Sequence, residues 1–226
     1  LLHTIPHPWD LSATDAIALQ KSLAQQVDST TPIDIANLKL VAGVDVSVKN
    51  NISRAAIVVL EYPSLETVEV VTARIPTPFP YISGLLSFRE GAVILKAHEQ
   101  LQSVPDAYIF DGQGIAHPRR LGIAAHIGLW LDRPTVGCGK TRLIGKHDDP
   151  DPEKGSMAPL IHHRQGKEEL IGQVVRTRTN VKPVYISIGH HATLETACQL
   201  ILNCTTRYRL PEPIRAADHL AGQFSP

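Results

Sequence analysis

At 226 residues, 43% of them hydrophobic and 19% charged, the chain is long enough to bury one substantial core and short for two, so a single domain over residues 1–226 is expected. Basic and acidic side chains number 22 each, which excludes attraction to nucleic acid or membrane through net charge and leaves any anionic partner to local patches. Three cysteines without Cys-x-x-Cys or zinc spacing argue against a disulfide framework, and no apolar run reaches membrane-spanning length.

A cytoplasmic monomer without membrane contact is therefore expected. The first residues, Leu1 to Pro8, lack the charged start and apolar core of a signal peptide. Because the chain opens on Leu1, an initiator methionine is expected before it.

In chain order, Ser12-Ala-Thr-Asp15 reads as a capping box opening a packing helix through about Val27. Leu38 to Val48 reads as a buried strand rich in β-branched residues, with Asp45 interrupting its apolar centre. Strands from Ser53 to Tyr62 and from Thr67 to Ile75 follow after short connections, which predicts an antiparallel meander of three. Pro76, Pro78 and Pro80 then stiffen an exposed loop carrying Tyr81. A helix over about 87–102 holds Glu90 near its start.

The short apolar strand Ala107 to Phe110 ends on Asp111 and opens into a glycine-rich turn with His117, Arg119 and Arg120. A helix from Ile123 to about Leu131 and a strand from Pro134 to Cys138, just before Lys140, complete a parallel crossover. Residues 145–166 are polar and rich in Pro, His and Asp, and read as a surface excursion. Strands at 170–178 and 184–188, a helix at about 194–203 and a last helix from near Pro213 end the chain. The sum is an α/β fold: a mixed sheet with three antiparallel strands followed by parallel strands, flanked by helices.

Two local patterns are decoys. Gly112-x-Gly114-x-x-His117 begins like a dinucleotide fingerprint, but a bulky imidazole fills the position of the third glycine. Gly139-Lys140-Thr141 resembles the end of a phosphate-binding loop, yet its first glycine position falls on Pro134, within a strand. His-Glu-x-x-His and Gly-x-Ser-x-Gly are absent, and the acidic run from Asp148 to Glu153 lacks the ligand alternation of a calcium loop.

What remains is a set of acids at telling places. Asp45 lies inside an apolar strand, Glu90 near a helix start, Asp111 at a strand end and Asp218 on the final helix. Any one of them alone reads as a structural ion pair. Together they would repel one another, and a hard divalent cation removes that repulsion. Mg²⁺ held by one to three carboxylates is the usual device for phosphodiester hydrolysis, since it polarises the phosphoryl oxygen and lowers the pKa of bound water.

The order of elements and acids resembles the ribonuclease H-like nuclease fold. The local words are similar to one family in particular, endonuclease V, the deoxyinosine-specific endonuclease. They are Val41-Ala-Gly-Val-Asp45-Val-Ser, Glu61-Tyr-Pro-Ser, Phe79-Pro-Tyr-Ile-Ser-Gly-Leu-Leu-Ser-Phe-Arg-Glu90, Phe110-Asp-Gly-Gln-Gly-Ile-Ala-His-Pro-Arg-Arg-Leu-Gly-Ile-Ala, Pro134-Thr-Val-Gly-Cys-Gly-Lys140 and Arg209-Leu-Pro-Glu-Pro213. The match runs in order from about Trp9 to Asp218.

The resemblance implies that Asp45, Glu90 and Asp111 ligate Mg²⁺, with Mn²⁺ able to substitute, and that Asp218 takes a fourth, more variable position. It implies that Lys140 contacts the scissile phosphate and that His117 lies close to metal and substrate. Tyr81, between Pro80 and Ile82, falls on the family wedge, whose ring fills the gap left by an everted base. Gly84, Leu86, Gly112 and Gly122 would line the base pocket. Arg89, Arg119, Arg120, Arg142 and Lys146 are candidates for backbone phosphates.

The implied reaction cuts the second phosphodiester 3′ to deoxyinosine in DNA, with inosine-containing RNA as a further substrate, and leaves 3′-hydroxyl and 5′-phosphate ends. Ser83 departs from the proline usual in the wedge, and Cys138-Gly139 from the usual Val-Ala before the lysine. Two alternatives stay open: another ribonuclease H-like nuclease such as a junction resolvase, and a non-catalytic inosine-binding module.

Overall fold

The computed structural model describes residues 7–223; residues 1–6, within the stretch read for a signal peptide, lie outside it. Eight strands form one sheet in the order β3-β2-β1-β4-β5-β8-β7-β6. The meander is present as β1 (Leu40–Lys49), β2 (Ile52–Glu61) and β3 (Thr67–Pro76), all antiparallel. β4 (Ala107–Phe110) then pairs parallel with β1, and β5 (Thr135–Gly139) parallel with β4.

Alternation along β1 decides which layer each side chain meets. Val41 packs under α4 (Leu194–Asn203) and α5 (Glu212–Ala221), whereas Ala42 and Val44 pack under α2 (Leu86–His98) and α3 (Ile123–Leu131). Gly43 and Asp45 share the parity of Val41 and so face the α5 layer. A Cβ on Gly43 would sit 1.9 Å from the Pro213 carbonyl oxygen, so the hydrogen side chain is what lets the start of α5 lie on the strand. Gly43→Ala is expected to cost about 1–3 kcal/mol through overpacking and to displace Asp218 along with α5. Chemical denaturation of the variant checks the first effect, and wild-type stability would refute the close approach.

α1 (Ala13–Leu23) begins as expected on Ser12, whose hydroxyl accepts from the Asp15 backbone N–H at 3.1 Å. A 3-10 turn over Ala24–Gln26 carries the helical path close to Val27.

The excursion reading of 145–166 is corrected in part. Met157–Arg164 forms β6, which pairs with β7 (Lys167–Val175) as an antiparallel hairpin at the sheet edge. Pro159 hid this strand. An edge strand tolerates proline because one row of its N–H groups needs no ladder partner, and Ala158 and Leu160 are buried while Met157 and Pro159 are exposed. β7 pairs antiparallel with β8 (Val184–His190), which returns antiparallel to β5, so the parallel run ends at β5.

Candidate active site

β4 is only four residues long, and its pairing with β1 stops at Val44 opposite Phe110. The Asp111 N–H still donates to the Val44 carbonyl at 3.1 Å. Asp45 and Asp111 are therefore the next residues on two adjacent parallel strands, both of α5-face parity. α5 brings Asp218 over them, and oxygens of all three carboxylates lie within 4.8 Å of one another. Lys140, one residue past β5, reaches across with Nζ 2.5 Å from Asp111 Oδ2 and 2.7 Å from Asp218 Oδ1.

Glu90 comes from α2, in the opposite layer, and is not one of these three. Besides its burial, it feels the charges of Asp45, Arg89 and Asp111.

The electrostatics show an excess of negative charge. Burial, reinforced by Asp111, pushes the Asp45 carboxyl up to about 7, with Lys140 offsetting part of the effect. Burial and then Asp45 push Glu90 up to about 8. Burial raises Asp111 against the pull of Lys140. Burial alone would lower the Lys140 ammonium, but its bonds to Asp111 and Asp218 override this and raise it. One ammonium among four carboxylates leaves a clear deficit of positive charge. The donor set is all oxygen, which suits a hard cation of the Mg²⁺ type; binding one requires Lys140 to give up at least part of its double bridge.

Beside the acids opens a cavity of roughly 320 Å³, within the range of small-ligand pockets. Asp111 and Lys140 belong to its lining, as do Tyr81, Ile82 and Gly84 of the loop that follows Pro80. Leu86 and Ser87, at the start of α2, and Gly122 and Ile123, at the start of α3, also line it. Helix N-termini present N–H groups without intrahelical acceptors and the positive end of a dipole. At α3 the Gly122 and Ala124 N–H groups are spent on the Gly114 and Gln113 carbonyls, so the donors left to the cavity are the N–H groups of Leu86, Ser87 and Ile123. Tyr81 is 73% exposed beside it, and Pro80 is exposed next to the ring.

One carbonyl gathers three of the hydrogen bonds that hold the loop. Gly84 O accepts from Gln20 Nε2 at 3.0 Å, His117 Nε2 at 3.0 Å and Arg119 Nη2 at 2.7 Å. Gly84 has φ +79°, and a Cβ there would meet Arg119 Nη2 at 2.8 Å, so a side chain would be opposed by both conformation and space.

His117 also accepts at Nδ1 from the Arg119 N–H, and burial with Arg119 lowers its pKa to about 4. It is a neutral imidazole with both nitrogens engaged. Arg119 is committed inward, its Nε donating to Gln20 Oε1 at 2.5 Å. Of the five basic residues expected to meet phosphates, Arg89 donates to the Phe79 carbonyl and Arg120 pairs with Glu169. Like Arg119 they have partners within the protein, while Arg142 stays exposed at the cavity and Lys146 is exposed on the surface.

The sequence reading passed over Gln20, Ser87 and Gln113. Gln20 is 1% exposed and binds Gly84 O and Leu121 O. Its signal was available: with Ala16 and Leu23 it forms the buried stripe of α1, where an amide must have a partner. Gln113 spans to the Thr141 carbonyl at 3.0 Å.

Comparison with known proteins decides the family. The Endonuclease V family model matches residues 21–219. A Trichormus variabilis protein named Endonuclease V is 50% identical over 222 residues, covering 96% of each chain. The chain belongs to the endonuclease V family. It is thereby a member of a family of nucleases, hydrolases of the phosphodiester bond.

The crystal structure of the Streptomyces avermitilis family member superposes with a TM-score of 0.89 at 37% identity, covering 98% of this chain and 96% of that one. The Ciona intestinalis enzyme, crystallised with a 24mer DNA containing an inosine followed by a ribo-adenosine, superposes with a TM-score of 0.80 at 27% identity over 92% of this chain and 95% of that one. Among the described residues, no helix is long and apolar enough to cross a membrane.

Proposed function

We propose that the protein is a Mg²⁺-dependent endonuclease that hydrolyses the second phosphodiester 3′ to deoxyinosine, leaving a 3′-hydroxyl and a 5′-phosphate. The observation that carries this reading is the junction of two features at Asp111 and Lys140: a carboxylate cluster short of positive charge, and a donor-lined cavity with an exposed aromatic ring beside it. Hypoxanthine carries O6 and ring-nitrogen acceptors that answer helix N-terminal N–H groups, whereas adenine would turn its amino donor toward them. The family relative crystallised with inosine-containing DNA supports the same choice.

Asp45, Glu90 and Asp111 would hold the cation, with Asp218, whose oxygens lie within reach of both aspartates, at a fourth position, and Mn²⁺ could replace it. The metal would polarise the phosphoryl oxygen and supply the nucleophile by acidifying bound water. Lys140 is placed to meet charge developing on the phosphate once released from Asp111 and Asp218. His117, Gln20 and Arg119 act on the wedge loop through Gly84, and so are positioning residues. The same pocket would accept inosine in RNA, because the base is what it contacts. The three free, buried cysteines suit a reducing cytoplasm, and we take the working unit to be one chain.

Competition tests the pocket. Unlabelled inosine duplex should suppress cleavage of a labelled one at far lower concentration than an adenine duplex does; equal competition would discard the pocket. Tyr81→Ala should lose about 1–3 kcal/mol of affinity for inosine duplex, the usual worth of one stacking contact, while its stabilisation by Mg²⁺ stays as in wild type. Unchanged affinity in a titration would remove the wedge role.

A further inference from the structure

A second depression adjoins the acids. It is an open groove of about 470 Å³ lined by Tyr208, Arg209, Leu210, Arg215, Asp218 and His219. Asp218 belongs both to this groove and to the carboxylate cluster, and Lys140 joins it to Asp111, which lines the base cavity. Cavity, acids and groove are therefore consecutive.

Away from Asp218, the groove's charged side chains are guanidiniums. The Arg215 guanidinium lies 3.6 Å from the centroid of the Tyr208 ring and is braced by Glu212 at 2.6 Å. Glu212 in turn accepts from the Thr206 hydroxyl at 2.6 Å. Arg209 spends its Nη2 on the carbonyls of Lys140 and Pro183, both at 2.7 Å, and its charge also bears on Asp111. Arg207 lies 5.7 Å from the same ring and has no acidic partner among the described residues. Two guanidiniums beside one tyrosine, Arg207 exposed at the margin and Arg215 held by Glu212, with Arg209 in the wall, form a cationic edge that the cleavage chemistry above does not use.

We propose that this groove seats the part of the cleaved strand that lies 3′ of the scissile bond, with its phosphates against Arg207, Arg209 and Arg215. The proposal rests on the deoxyinosine reading. If the lesion base occupies the cavity and the cut falls 3′ to it, the strand crosses the carboxylates and continues onto the surface that begins at Asp218. That surface is the groove, and a polyanion is the occupant its guanidiniums select.

The test is equilibrium binding with Ca²⁺ in place of Mg²⁺, using two inosine duplexes. In one the lesion strand continues about ten nucleotides past the scissile bond; in the other it stops one nucleotide past it. Arg207→Gln and Arg215→Gln should each weaken the long duplex about fivefold and leave the short one unchanged. Each should also lower the slope of log K against log salt by about one on the long duplex. Arg207, which pairs with no acid, carries the test if Arg215→Gln proves unstable.

Equal weakening on both duplexes, no weakening on either, or a loss that depends on trimming the 5′ side would overturn the proposal. The adenine duplex separates the two readings: if the wild-type protein binds adenine and inosine duplexes equally, the base pocket fails. If it prefers inosine but the variants show no dependence on 3′ length, the groove alone fails.

Discussion

Asp45→Asn should abolish Mg²⁺-dependent cleavage and at the same time raise the melting temperature of the metal-free protein. The two effects share a cause. Asp45 is held beside Asp111 by strand register, and burial with that neighbour's charge raises its pKa to about 7. Asparagine keeps an acceptor for the Val46 backbone N–H that Asp45 uses, keeps the shape, and removes a charge that the fold tolerates poorly. About 1–3 kcal/mol of relief is expected, or several degrees of melting temperature for a chain of this size. Turnover should fall by roughly a thousandfold or more, since metal-based charge stabilisation is worth several kcal/mol. Melting in EDTA and in Mg²⁺, beside a cleavage assay, reads both. A variant that still turns over, or one that melts below wild type in EDTA, contradicts the assignment.

The metal-free protein should also lose stability as pH rises from about 6.5 to 8.5. Asp45 and Glu90 have folded pKa values raised to about 7 and about 8, against roughly 4 when unfolded. The folded state therefore holds the extra protons, so the stabilisation is full below about pH 4 and is lost as pH climbs through 7 to 8. The acids titrate as a coupled group.

Buried histidines act in the opposite sense. His117, lowered to about 4, and His126, lowered by burial, are depressed below their unfolded value near 6.5. They add stability as pH rises from 4 to 6.5 and mask the acids there. Above 6.5 the acids are joined by His191, which burial would lower but its bonds to Asp132 and Asp28 raise, and the slope is up to about 1.4 kcal/mol per pH unit for each proton the folded state still retains. Mg²⁺ should cancel the loss, since its ligands must be deprotonated to bind it. Urea titrations at pH 6.5, 7.5 and 8.5, in EDTA and in Mg²⁺, check this; stability that is flat or rising with pH in EDTA would contradict it.

The carboxylate cluster was legible because its members stand where local pattern forbids them. Asp45 breaks a β-branched strand and Asp111 ends an apolar one; that the two lie side by side depends on the sheet order, which sets β4 next to β1. The meander, the crossover and the positions of the helices followed from the same periodicities. The hairpin β6–β7 did not, because an edge strand with Pro159 and a polar second half carries almost none of the apolar alternation by which strands are read. The inward commitment of Arg119 was equally invisible. Its partners Gln20 and the Gly84 carbonyl lie 99 and 35 positions away, and no local rule distinguishes an arginine that will find such partners from one that stays in solvent. Glu90 reaches the same charges from the opposite helical layer, through contacts with Asp45 and Asp111 that no local pattern around it announces.

The most direct test of the whole account uses two end-labelled duplexes, one with a single deoxyinosine and one with adenine at that position, incubated with Mg²⁺ or EDTA and mapped at nucleotide resolution. The account predicts one cut, at the second phosphodiester 3′ to inosine, in Mg²⁺ only, with no cut in the adenine duplex. A cut that ignores inosine, or one that persists in EDTA, would contradict it.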